Sequence, residues 1–146
     1  MTERAGNVKE LHFLRGRGRR SIMPRMASLD EAREAMARRP GDAMTRMQLS
    51  IELYNVLSDA QDEEDLARRD ALLQELRNLA AAHPDDPSVR KRLAKGFWIV
   101  LMHAHEKEDA SGRDAALAEL RGLGARCESD NHVQKYVIRA NNIFRA

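Results

Sequence analysis

The chain is poor in several residue types, and each shortage excludes something. It has one cysteine, four prolines and eight glycines in 146 residues. Aromatics are three phenylalanines, two tyrosines and one tryptophan. A lone cysteine, Cys127, rules out an intramolecular disulfide and a multi-cysteine zinc site, and it fits a reducing compartment. So few aromatic and turn residues exclude a β-sandwich or barrel. No apolar run approaches the roughly 18 residues that a membrane span needs. No apolar stretch follows the early basic residues, so a secretory signal is not expected and the cytoplasm is. A net charge of +2 gives no global field for nucleic acid. Gly16 and Gly18 neither follow a strand nor open a helix, so no phosphate-binding loop is present and no cofactor is expected.

What remains is 42% hydrophobic and 33% charged, rich in Ala, Leu, Arg and Glu. That is the profile of an all-α domain. Its length buries a core without staples. Charge is uneven along it. Residues 1–25 hold seven basic residues against two acidic ones, a net of +5, which leaves −3 for the rest. Residues 1–26 therefore read as a basic arm, with Arg15, Arg17, Arg19 and Arg20 spaced by glycine. Mutual repulsion and glycine favour a mobile segment. Arginines can meet phosphate, but no aromatic platform for base stacking accompanies them, so nucleic acid is not the expected partner.

The strongest signal is an internal repeat. Shifted by 44 residues, the chain overlays itself. Asp42, Asp86 and Asp130 coincide, as do Pro40 and Pro84. Leu49, Leu93 and Val137 align, then Leu53 with Phe97, and Leu57 with Leu101. Over positions 69–83, nine of fifteen residues are identical to those 44 further on. They are Arg69, Asp70, Ala71, Leu73, Glu75, Leu76, Arg77, Leu79 and Ala81. An earlier partial copy aligns Leu29, Glu31, Arg33 and Ala37 with Leu73, Glu75, Arg77 and Ala81.

Each unit reads as two helices. The first follows an aspartate N-cap, and Pro87 after Asp86 suits the first helical position. Its apolar face is Leu49, Leu53, Val56 and Leu57, then Leu93, Phe97, Val100 and Leu101. The second helix carries Leu66, Leu72, Leu73, Leu76 and Leu79, then Ala116, Leu117, Leu120 and Leu123. Ser111 with Asp114 resembles a capping box. The pattern predicts about six helices near 28–39, 43–58, 63–82, 87–105, 112–125 and 131–144. Asp59–Asp62 and Glu106–Ser111 are expected to link them. Full repeats cover 40–83 and 84–127, with half repeats at 28–39 and 128–146. Helix pairs that cannot bury their stripes alone stack on their neighbours.

These features resemble the tetratricopeptide-type helical repeats of bacterial proteins. The resemblance rests on the Pro-x-Asp turns at 40–42 and 84–86 and on the Leu-x-Glu-Leu-Arg-x-Leu runs at 73–79 and 117–123. It covers residues 28–146. The usual unit has 34 residues, so these helices run longer. The resemblance implies a right-handed α-solenoid that works as a protein-interaction scaffold, with the first helix of each unit lining a concave groove.

Opposite the core stripe of those helices lie Met47, Ile51, Tyr54 and Ser58 in the first unit. Lys91, Lys95, Trp98 and Met102 follow in the second, and Lys135, Arg139 and Asn142 in the third. The expected groove site is Tyr54, Lys91, Lys95, Trp98, Lys135, Arg139 and Asn142. Its cations suit an acidic peptide or protein, and Trp98 can anchor it. The plainer alternatives are packing of Met47 and Tyr54 against the 28–39 helix, and pairing of the lysines with nearby acids.

Enzymatic and metal chemistry find little support. His103 and His105 are two residues apart, about 200° on a helix, which is wrong for one metal. Cys127 and His83 share a repeat position, but no oxyanion feature accompanies them. The acidic run Asp59, Asp62, Glu63, Glu64 and Asp65 lacks a calcium loop's glycine and spacing. The expected function is non-enzymatic protein binding. A self-assembly module, or part of a longer array, is the second reading, and a nucleic-acid adaptor is the third. Val137, Ile143 and Phe144 lack a following helix to cover them, so weak self-association is expected there.

Overall fold

Aspartates start five of the helices in the computed structural model, which describes residues 22–145, with side chains from residue 28 onward. Six helices are described and no strand among those residues. They are α1 (Ile22–Arg38), α2 (Ala43–Asp62), α3 (Leu66–Ala82), α4 (Pro87–Glu106), α5 (Ala110–Arg126) and α6 (Asn131–Ile143). The carboxylates of Asp42, Asp65, Asp86, Asp109 and Asp130 each accept from N–H groups of the following first turn. These donors would otherwise have no partner. The helix starts keep the 44-residue period: 22, 66 and 110 in one series, 43, 87 and 131 in the other.

Several boundaries differ from the sequence expectation. α1 begins at Ile22, so residues 22–26 of the expected arm are helical. Pro24 is compatible because it falls in the first turn, where its missing N–H costs nothing. α2 continues through Asp62, so Asp59–Asp62 is its last turn rather than a link. Nothing in Ser58–Asp62 breaks a helix, and Gln61 has a role there, accepting from the buried Arg69 guanidinium at 2.7 Å. α3 accordingly starts at Leu66. The cap of α5 is Asp109, which accepts from Gly112 N–H, so Ser111 is already helical and makes no capping box.

The two turns inside the repeats close identically. Glu64 and Glu108 take φ of 58° and 57°. Next to them Asp65 N–H reaches Ala60 C=O, and Asp109 N–H reaches Ala104 C=O, both at 2.9 Å. This is a six-to-one helix closure, which favours glycine at the left-handed residue. Glu64→Gly should therefore raise stability by about 0.5–1 kcal/mol, and Glu108→Gly likewise. Urea unfolding of the two variants checks this. A loss on both would show that the glutamates are held for another reason.

The aligned apolar positions form one core. Leu53, Leu57, Leu76, Leu101 and Leu120 are fully or almost fully buried, and so are Leu49, Leu93, Phe97, Leu117 and Leu123. Val100 is only half-buried. α2 packs on α1, α3 and α4; α4 packs on α3, α5 and α6; α5 packs on α6. Close approach is required at Gly96, where a Cβ would lie 2.9 Å from Leu73 Cδ1.

Two series of ion pairs repeat the 44-residue period. Arg33 pairs with Glu75 and Arg77 with Glu119, both at 2.6 Å, linking α1, α3 and α5. Arg46 pairs with Asp86 and Arg90 with Asp130, both at 2.8 Å. The next arginine in the first series, Arg121, donates instead to Asn141 Oδ1 and the Phe144 carbonyl. Position 134 is glutamine, and its amide donates to the Gly124 and Cys127 carbonyls. On α6, Val137 and Phe144 pack against the core, while Ile143 and Ile138 are 47% and 58% exposed.

Candidate functional site

One face of α2, α4 and α6 gathers most of the expected site residues, with Trp98 and Tyr136 half-buried on it and packed at its base against the core. Tyr54 on α2 lies beneath the Lys95 ammonium of α4, with Nζ 4.6 Å from the ring centroid. Trp98 on α4 meets Tyr136 on α6 at a centroid distance of 5.8 Å and a tilt of 49°. Lys135 Nζ and Arg139 Cζ stand 5.3 and 5.8 Å from the Tyr136 centroid. Cation–π contacts therefore join cations to aromatics both across helices and within α6. Asn142, the third-unit counterpart of Trp98, is exposed and makes none of these ring contacts. Arg15, Arg17, Arg19 and Arg20 lie outside the described residues.

The local sequence explains the arrangement. Lys91, Lys95 and Trp98 are spaced i, i+4 and i+7, so they share one stripe of α4. Each contact between helices joins one unit to the next, because equivalent stripes sit side by side when the units pack with a constant offset. Tyr54 is half-buried and packs toward α4, through Lys95, rather than serving only as packing for α1.

The electrostatics of the face are dominated by cations, with Asp62 close enough to act on Tyr54. Burial, and then the nearby Arg92, Lys91 and Lys135, hold the Lys95 ammonium below its ordinary pKa. Burial, and then Tyr136 and Asp62, push the Tyr54 hydroxyl up, and Arg92 opposes them. Lys91, Arg92, Lys95, Lys135 and Arg139 form no ion pair with a carboxylate among the described residues. The expected alternative, neutralisation by neighbouring acids, is not what the side chains do. The contrast with Arg33, Arg46, Arg77 and Arg90, each on a carboxylate, is sharp.

Tyr136 and Arg92 belong to this face and were not among the expected site residues. They occupy equivalent positions, one residue after Lys135 and Lys91, at the edge of the stripe. A stripe widened by 100° would have found them, and an aromatic flanked by Lys135 and Arg139 was the visible signal.

Other candidate chemical groups lie outside this face. Arg69 Nη1 lies 3.4 Å from His103 Nδ1. A guanidinium only donates, so this contact assigns the ring proton to Nε2. His103 Nε2 is buried and has no partner among the described residues. His105 is exposed and meets Phe144 edge-on at 5.0 Å. Cys127 and His83 are the C-caps of α5 and α3. Among the described residues, no group of three or more His, Cys, Asp or Glu side chains is placed to hold a metal ion. No described helix is long and apolar enough to cross a membrane. Comparison of the chain with protein-family models, curated proteins and solved structures finds no match.

Proposed function

We propose that this chain is a non-enzymatic, cytoplasmic interaction module. Its helix pairs are read as a right-handed α-solenoid of tetratricopeptide type, and the face of α2, α4 and α6 is read as the groove that takes an acidic peptide or protein segment. One observation carries the reading. Five cations with no carboxylate partner among the described residues share this face with Tyr54, Trp98 and Tyr136, although the chain has 23 acidic residues. Clustered like charge repels itself, and an anionic partner relieves that repulsion. Aromatic rings supply apolar contact area at low entropic cost.

Trp98 is the only tryptophan, so its fluorescence reports on the face directly. Titration with a glutamate-rich peptide should shift its emission, and the affinity should fall with added salt as charges are screened. Lys95→Glu should cost at most about 1 kcal/mol of stability, the worth of its contact with the Tyr54 ring, and weaken peptide binding at least about tenfold. Trp98→Ala, followed by anisotropy of a labelled peptide, should weaken it more. Equal binding by parent and both variants would show that the partner sits elsewhere. Tighter binding of a generic RNA than of the peptide would make nucleic acid the partner.

A further inference from the structure

The face is not uniform from one helix to the next. Its first row runs Met47 on α2, Lys91 on α4 and Lys135 on α6. Its second row runs Ile51, Lys95 and Arg139. Both rows pass from apolar to cationic in the same direction. The apolar end also has depth. A cavity of about 570 Å³ opens between the N-terminal ends of α2 and α4, lined by Ala43, Met44, Met47, Pro84 and Pro87 together with the Arg46–Asp86 pair. Met44 is 68% exposed at this cavity. Asp85 also lines it and has no ion pair among the described residues, so the cavity repels an anion.

Distance sets the spacing of what can bind. Axes of packed helices lie about 8–10 Å apart. A polyproline-II segment rises about 3.1 Å per residue and turns once every three, so residues i, i+3 and i+6 share a face and step by about one helix spacing. We infer that the partner is a segment in polyproline-II conformation that crosses the three helices with an apolar side chain in the Met44–Met47 cavity and acidic residues three and six positions along, over Lys91 and Lys135. This rests on the reading of the face as an acidic-peptide groove and adds order and spacing to it. An acidic stretch of arbitrary sequence satisfies the cations but leaves the cavity empty and puts charge beside Asp85.

The test uses the full chain and synthetic nine-residue peptides. One carries leucine at its second position and glutamate at its fifth and eighth, with serine and glycine elsewhere. A second has that order reversed, and a third has the same composition scrambled. One of the two ordered peptides should bind at least about tenfold tighter than the scrambled one, and Lys135→Glu should make it prefer lysine over glutamate at the end furthest from leucine. Met47→Lys should remove the advantage of order while leaving a glutamate-only peptide bound; far-UV dichroism confirms that this variant is folded. The peptide comparison needs no variant at all. Equal binding of ordered and scrambled peptides overturns this inference and leaves the acidic-peptide reading standing. Failure of every peptide to bind overturns that reading itself.

Discussion

Phe97→Ala is expected to cost about 3–5 kcal/mol, the largest single-residue loss in this chain. The side chain is 3% exposed at the centre of α4, the helix that touches α2, α3, α5 and α6. Truncation removes a whole ring from the core and strips Arg77 of the surface it covers, where Cζ lies 5.7 Å from the ring centroid. The repeat supplies an internal control. The equivalent residue is Leu53, which is 1% exposed, so the same kind of site accepts leucine. Phe97→Leu should accordingly cost about 1–1.5 kcal/mol, the range of a volume-tolerant apolar exchange. Chemical denaturation of the two variants decides it. A loss below 0.5 kcal/mol for Phe97→Ala would mean that this face of α4 does not carry the core.

The second large effect is expected at Asp86, which does two things at once. It caps α4 through Ser88 and Val89 N–H groups, and it receives Arg46 of α2 at 2.8 Å. The Arg46 and Asp86 side chains are only 15% and 9% exposed. Loss of a cap costs about 1 kcal/mol. Leaving a mostly buried guanidinium without its carboxylate adds roughly 1–3 kcal/mol. Asp86→Ala should therefore cost about 2–4 kcal/mol. Asn can cap a helix too, so Asp86→Asn isolates the charge and should cost less. In a double-mutant cycle with Arg46→Met, the two losses should fall short of additivity by at least 0.5 kcal/mol. Strict additivity would show that the pair has no energetic consequence.

Asp86 also predicts a pH dependence. Burial opposes its ionisation, but hydrogen bonds from Arg46, Ser88 and Val89 outweigh burial, so its pKa is lowered. Asp130 is lowered in the same way through Arg90, Val133 and His132. A carboxylate with a lowered folded pKa stabilises the fold above the ordinary value near 3.9. That contribution is lost as the pH falls through the lowered folded values. Stability should thus decline with acidification below about pH 4, and less steeply for Asp86→Asn, as urea midpoints across that range will show. An unchanged slope in that variant would remove Asp86 from the account.

Much of the fold was legible in the residues alone, because helix periodicity, aspartate caps and a 44-residue repeat are local or translational features. Leu49, Leu53 and Leu57 announce a buried face by spacing, and identical spacing at Leu93, Phe97 and Leu101 announces a second copy. Boundaries were less legible. The acidic run from Asp59 to Asp65 looks like a solvated link. In the fold its first part is helical, Glu64 makes the left-handed turn and Asp65 caps the next helix. Composition does not distinguish these roles, since each depends on where the chain must reverse to pack α3 on α2.

The sequence by itself therefore determined that the chain is helical, how its units repeat and which stripe of α4 holds Lys91, Lys95 and Trp98. Only the tertiary structure decided which stripes meet. Tyr54 touches Lys95 across 41 residues, Trp98 touches Tyr136 across 38, and Arg33 and Arg77 each reach a glutamate 42 residues away. Those pairings depend on the offset and rotation between packed helices, which arise from side-chain volumes at the contacts, such as the bare Gly96 against Leu73. A repeat period specifies that equivalent residues recur; it does not specify which neighbour each one faces. The same is true of charge. Twenty-five basic and 23 acidic residues predict near neutrality. Packing alone sorted Arg33, Arg46, Arg69, Arg77 and Arg90 onto carboxylates and left the cations around Tyr54, Trp98 and Tyr136 without them among the described residues.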